Sequence, residues 1–154
     1  MTCYVVRHGT AAVGPDDRAR PLTPEGRGEV EATARALRAH GVQVAEVRHS
    51  GLVRARETAE ILARALVPPR GVHAATGLAP DDDPDVARAE LELATEPLMI
   101  VGHLPHLARL ATALVGTAAT EPIRFTPGTA VGLRRGPSGW ELDRVLSPRV
   151  GAPS

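Results

Sequence analysis

Short apolar runs alternate along this chain with stretches in which apolar residues return every three or four positions. The run at residues 2–6 reads as a short buried strand. Thr23-Pro24-Glu25 marks a helix start: a hydroxyl to cap it, proline at the first helical position, and an acid near the positive dipole end. That helix runs to about His40, where Gly41 supplies the stop. Residues 42–48, with Val42, Val44 and Val47, suit a second strand. Over 52–66, Leu52, Ala55, Ala59, Leu62, Ala63 and Leu66 fall on one helical face, and Pro68-Pro69 ends it. A weak strand is expected at 72–76, then an acidic turn from Asp81 to Pro84 and a helix over about 85–95. Leu98–Val101 reads as a buried strand, and Gly102-His103 leads into another helix. There Pro105 suits the first turn, and Leu107, Leu110, Ala111 and Leu114 share a face. Residues 129–134 and 139–146 suit a hairpin turned at Gly136-Pro137-Ser138-Gly139, with Trp140 packed on the sheet. A loose tail is expected at 148–154, after a single domain over 1–147. The alternation predicts an α/β fold: three layers, α/β/α, with a mostly parallel central sheet and a C-terminal antiparallel hairpin.

Composition narrows the function. The chain has 154 residues, enough for one domain with a sizeable core. Its formal net charge is zero and aromatics make up only 2%, which argues against a nucleic-acid partner. All 18 basic residues are Arg. Without Lys, Schiff-base chemistry and a Walker-type phosphate loop are excluded. Counting arginines therefore says little; their placement decides. Cys3 is the only cysteine, which rules out a disulfide within the chain, suits a reducing compartment and reads as a small core residue. No stretch approaches a membrane span and no signal peptide is visible, so a cytoplasmic protein without a membrane partner is expected.

Three strand ends carry candidate chemistry. The first gives Arg7 and His8. The second gives His49 and Ser50, with Arg54 in the first turn of the next helix. The last gives Gly102 and His103, opening a further helix. In a parallel sheet these ends share one edge, where open α/β folds bind ligands. Helix N-termini pointing at that edge would add N–H donors and positive dipole. Two histidines, two arginines and helix starts describe a site for a dianion, and the fitting dianion is a phosphoryl group. Histidine can attack phosphorus, and arginine grips phosphate oxygens in a bidentate fork.

With these motifs in order, the chain resembles the histidine phosphatase superfamily, of phosphoglycerate-mutase-like fold. Within it, the chain is similar to the short bacterial phosphohistidine phosphatases of the SixA type. The matching residues are Arg7-His8-Gly9, Arg20-Pro21-Leu22-Thr23 with Gly26, Ser50-Gly51-Leu52-Val53-Arg54-Ala55 with Thr58-Ala59, Val101-Gly102-His103-Leu104-Pro105, and Phe125-Thr126. The resemblance implies that His8 is the nucleophile, forming a phosphohistidine intermediate. It implies that Arg7 and Arg54 hold the non-bridging oxygens, and that His103 completes the pocket as an electrostatic partner and hydrogen-bond donor. Arg20 is implied as a further phosphate ligand from the first loop; a solvated loop arginine is the competing reading, and Arg18 lies nearby. No metal or other cofactor is implied. His106 follows His103 in an H-x-x-H spacing, yet no third metal ligand has convincing spacing, and a rim or core histidine is the favoured reading. His49 is read as a strand-end histidine rather than a pocket residue. His40 and His73 read as surface residues.

The leaving group separates the substrate classes. An ester releases an alkoxide, which needs a general acid. A phosphohistidine releases imidazole, whose conjugate acid has a pKa of about 6.5, so it leaves with less help. Larger members of the superfamily place a Glu after the third strand. Here that segment reads Gly77-Leu78-Ala79-Pro80-Asp81-Asp82-Asp83 and resembles the short form without it. Asp81, Asp82, Asp83 and Asp85 are read as a solvated turn; an acid among them would return ester hydrolysis. The expectation is a metal-independent phosphatase, a monomer, acting on phosphohistidine of a signalling or phosphotransfer protein. The alternatives are a small-molecule phosphomonoesterase with the same site and a non-catalytic phosphoprotein-binding module.

Overall fold

The computed structural model describes residues 1–120 and 123–148. Six strands form one sheet in the order β3-β2-β4-β1-β5-β6. In chain order these are β1 (Thr2–Arg7), β2 (Glu46–His49), β3 (Val72–Ala74), β4 (Leu98–Gly102), β5 (Ala130–Gly136) and β6 (Gly139–Leu146). The first four run parallel, β5 runs antiparallel to β1, and β6 runs antiparallel to β5. The helices are α1 (Pro24–Ala39), α2 (Val53–Leu66), α3 (Pro84–Leu93), α4 (His106–Val115) and the short α5 (Thr117–Thr120).

The layers follow from strand alternation. Successive side chains of a strand point to opposite faces. Tyr4 and Val6 of β1, with Met99 and Val101 of β4, pack against Val30 and Leu37 of α1 and Leu62 of α2. Cys3 and Val5, with Leu98 and Ile100, pack against Leu91 of α3 and Leu107 and Leu110 of α4. The sheet is thus covered on both faces, as the buried runs predict, and Cys3 is a core residue. Trp140 packs partly buried on the second of these clusters.

Local signals are read where they were written. The Thr23 hydroxyl accepts from the Gly26 N–H at 2.9 Å, and Gly41 takes a positive φ just past α1. Several boundaries differ from expectation; β3 stops at Ala74 rather than 76, and β5 runs to Gly136 rather than 134. The second strand is confined to Glu46–His49, because its neighbours start level with it: Glu46 lies opposite Leu98 and Val47 opposite Val72. Residues 42–45 have no strand beside them. The last long helix begins at His106 rather than at His103, since the residue before a proline disfavours the helical region and Leu104 precedes Pro105. The helix after the acidic turn ends at Leu93, two residues short of expectation. A single turn of 3-10 helix at Asp17–Ala19, and α5, carry no apolar period to announce them. Most of the expected tail, residues 149–154, lies outside the described residues.

Candidate active site

The parallel arrangement brings the C-terminal ends of β1, β2 and β4 to one edge. Arg7 ends β1 and His8 follows it; the His8 N–H donates to the Gly102 carbonyl at the end of β4 at 3.0 Å. His103 is therefore beside His8, with ring centroids 4.9 Å apart. Arg54 projects from the first turn of α2 and is only 5% exposed.

His8 is held in one tautomer. Its Nδ1 lies 2.6 Å from the Gly9 carbonyl oxygen. A carbonyl only accepts, so Nδ1 carries the proton and Nε2 keeps the lone pair. Burial, chiefly, and then the Arg54, Arg7 and Arg20 charges bring the His8 pKa down to about 4. The imidazole is neutral and nucleophilic at physiological pH.

The loop that carries His8 is fixed on two sides by close backbone approach. A Cβ on Gly26 would lie 2.1 Å from the Thr10 carbonyl oxygen, and one on Gly9 would lie 2.6 Å from the Gly26 carbonyl oxygen. Only glycines let α1 press this closely on the loop. Glu29 of α1 accepts from both the Thr10 N–H and its hydroxyl, at 2.9 and 3.0 Å. From the other side, Thr58 of α2 accepts the Gly9 N–H at 3.2 Å and donates its own hydroxyl to the Arg54 carbonyl at 2.8 Å.

The arginines are aimed by backbone carbonyls. Arg7 donates to the Phe125 carbonyl at 2.8 Å, and its buried Nε has no hydrogen-bond partner among the described residues. Arg54 donates to the Asp17 carbonyl at 2.8 Å and reaches the Asp17 carboxylate at 3.4 Å. Arg20 donates through Nε to the Ala12 carbonyl at 2.7 Å and pairs with Asp17 at 3.0 Å. It thus shares the Asp17 carboxylate with Arg54. Arg18, by contrast, is exposed and lines the edge of a neighbouring groove.

His103 is 2% exposed. Ser50 Oγ lies 2.6 Å from its Nε2 and also accepts the Leu52 N–H at 3.3 Å. Burial first, then the nearby His8 and Arg54, lower the His103 pKa to about 3. Its neutral ring offers one N–H, and a bound anion would favour the cation. Ser50 and Thr58 stand in matched motifs without an assigned partner, and Asp17 and Glu29 carry no signal in the sequence. The contacts of Asp17, Glu29 and Thr58 run 37, 19 and 49 positions along the chain, from Arg54, Thr10 and Gly9 respectively. No local spacing announces such contacts.

The remaining candidates fall outside the cluster. His49 is buried and its Nδ1 accepts the Gly51 N–H at 3.1 Å. His106 is fully buried, and His40 and His73 are exposed. In the acidic turn, Asp82 accepts the Ala79 N–H at 3.0 Å and Asp83 caps α3 by accepting the Asp85 N–H at 2.9 Å. Asp85 lies 3.8 Å from Arg88, and Asp81 is exposed. A groove of about 410 Å³ runs beside the cluster, bordered by Arg18, Ser50, Gly51, Thr76, Ala79 and Asp82.

Known proteins are similar to this chain in sequence and in fold. The phosphohistidine phosphatase SixA of Escherichia coli K12 is 29% identical over 119 residues, 74% of each chain. A solved structure of the protein histidine phosphatase SixA with tungstate superposes with a TM-score of 0.88 at 26% identity, covering 97% of this chain and 98% of that one. An uncharacterised protein of Picosynechococcus sp. strain PCC 7002 is 34% identical over 143 residues, 88% of this chain and 86% of that protein. A family model described as histidine phosphatase superfamily (branch 1) matches residues 3–78, the span from β1 to the segment after β3. The chain belongs to the histidine phosphatase superfamily and is a phosphatase with a SixA-like fold.

Proposed function

We propose that the protein is a metal-independent phosphatase that works through a phosphohistidine intermediate on His8 and acts on phosphohistidine of a signalling or phosphotransfer protein. The observation that carries this reading is the His8 tautomer. With Nδ1 tied to the Gly9 carbonyl, the Nε2 lone pair is the free nucleophile. Nε2 attacks phosphorus, the bond to the leaving nitrogen breaks, and the electron pair goes to the departing imidazole. Arg7, Arg54 and Arg20 hold the non-bridging oxygens, supplying the positive charge that Mg²⁺ supplies in kinases. His103, whose ring is neutral near pH 7, donates a hydrogen bond as charge builds. Water then attacks the phosphohistidine, His8 leaves with its Nδ1 proton, and phosphate departs.

The substrate class is argued from the leaving group. Asp82 and Asp83 are engaged with backbone N–H groups and Asp85 sits near Arg88, which leaves the acidic turn poorly suited to protonate an alkoxide. A leaving imidazole needs no such acid. In this reading the protein works in the cytoplasm as a monomer, and a solution mass measurement tests the latter.

The experiment is phosphate release from a phosphohistidine-bearing protein beside a panel of small phosphate monoesters, with EDTA present. A strong preference for phosphohistidine supports the reading. Faster turnover of one ester would make the enzyme a small-molecule phosphomonoesterase, with the groove beside Ser50 as the place for its leaving group.

A further inference from the structure

In an in-line displacement the leaving group sits on the far side of phosphorus from the nucleophile. Since His8 lies largely buried at the strand ends, the leaving group faces the rim. One charged group of that rim is bonded to the phosphate-binding machinery itself. Asp17, on the single 3-10 turn, offers its carbonyl to Arg54 at 2.8 Å, one carboxylate oxygen to Arg20 at 3.0 Å, and the other to Arg54 at 3.4 Å. Its side chain is 63% exposed, so it faces both the arginines and whatever enters.

We propose that Asp17 is a specificity-determining residue that accepts the ring N–H of a phosphohistidine substrate and so selects it over phosphate esters. This rests on the phosphohistidine reading above. The chemistry balances without a general acid. In the phosphoimidazolium form, the ring nitrogen that does not carry phosphorus carries a proton. A carboxylate accepting that N–H stabilises this cationic form. The bond from phosphorus to His8 Nε2 forms as the bond to the substrate nitrogen breaks, and the electron pair returns to the ring. The imidazole leaves neutral, its distal N–H still in place. An ester has no such N–H, and its departing oxygen gains negative charge, which a carboxylate opposes.

The pairing also fits this role and not that of a proton donor. The hydrogen bond from Arg20, foremost, and the Arg54 charge hold the Asp17 carboxyl below its ordinary pKa. It is ionised wherever the enzyme would work. The charged groups around Asp17 are Arg20 and Arg54, bonded to it, and Asp16 and Arg18 on the same turn; Asp82, which borders the same groove as Arg18, is bonded to the Ala79 N–H.

The test uses the full chain, as wild type, Asp17→Asn and Asp17→Glu, against a phosphohistidine-bearing protein and p-nitrophenyl phosphate, with inhibition by tungstate measured in parallel. The wild-type ratio of the two kcat/KM values decides the substrate reading by itself. A wild type that prefers the ester overturns that reading and this one with it. Given a wild-type preference for phosphohistidine, Asp17→Asn is expected to lower the ratio about tenfold or more, with Asp17→Glu restoring most of it. The fall of phosphohistidine turnover at high pH should move to lower pH in Asp17→Asn, because the substrate imidazolium loses the partner that keeps it protonated. An equal loss on both substrates, with weaker tungstate inhibition and an unmoved pH profile, would overturn the proposal and leave Asp17 as a support for the arginines.

Discussion

The two edges of the sheet are both rich in arginine and differ in what the arginines hold. At the edge where β2 and β4 begin, Arg48 bonds Glu46 and Glu90, and Arg70 makes two bonds to Glu96. These residues line a groove of about 350 Å³ whose charges are matched within it. At the opposite edge, Arg7, Arg54 and Arg20 spend hydrogen bonds on the carbonyls of Phe125, Asp17 and Ala12. A carbonyl aims a guanidinium without cancelling its charge, and the single exposed carboxylate of Asp17 is shared between two of them. The first edge is a salt-bridged surface; the second leaves much of its positive charge uncancelled. In a chain whose basic residues are all arginine, the partner of each arginine is what distinguishes structure from site.

The comparison can be broken most severely at His8. Replacing His8 with Ala is expected to lower phosphate release by about 10⁴-fold or more while leaving the circular dichroism spectrum intact. Arg54→Ala and Arg48→Ala make the direct contrast between edges. The former should cost about 10²–10³-fold in kcat/KM, as loss of a preorganised transition-state donor does. The latter should leave turnover unchanged and lower unfolding free energy by about 1 kcal/mol or less, read from a urea titration. A large kinetic effect of Arg48→Ala would show that the edges are not functionally distinct.

Smaller effects sharpen the picture. Ser50→Ala removes the hydroxyl bonded to His103 and is expected to lower kcat by up to about tenfold, the worth of one net hydrogen bond. The pH dependence follows from the two lowered histidine values. His8 and His103 stay neutral above about 4 and 3 respectively, so their titration should leave kcat/KM level through pH 5–8 and bring it down only near pH 4. For stability the sign is the reverse of a salt-bridged histidine. In the unfolded chain these groups take up protons near pH 6.5, whereas the folded protein takes them up only near pH 4 and 3. Stability therefore declines as pH falls below about 6.5, since the unfolded state binds more protons there. A urea midpoint that holds level from pH 7 to 4.5 would contradict the buried, neutral histidines.

The fold and the core of the site were legible because they are written in local patterns. Strand runs of four or five apolar residues, the capped start of α1 and the amphipathic period of α2 each need only a short window. Arg7, His8, Arg54 and His103 sit at strand ends or in the first turn after one, so a parallel sheet brings them together automatically. Arg20 was harder to tell from Arg18, because a loop has no period; its conformation is set by Ala12 and Asp17. Asp17 itself reads as one more acid in a polar loop. The roles of Glu29 and Thr58 depend on how α1 and α2 lie against the loop after β1, a matter of tertiary packing. The acidic segment does turn before α3, which begins at Pro84, and the Asp82 and Asp83 carboxylates accept backbone N–H groups.

Thr58 carries a consequence for rate. One buried hydroxyl takes the Gly9 N–H beside His8 and donates to the carbonyl of Arg54. The spacing between the loop after His8 and the backbone of Arg54 is thereby gauged by a fully buried threonine side chain. Solvent would have to reorganise around each new phosphoryl group; this gauge is set once, during folding, and every later turnover inherits it at no further cost.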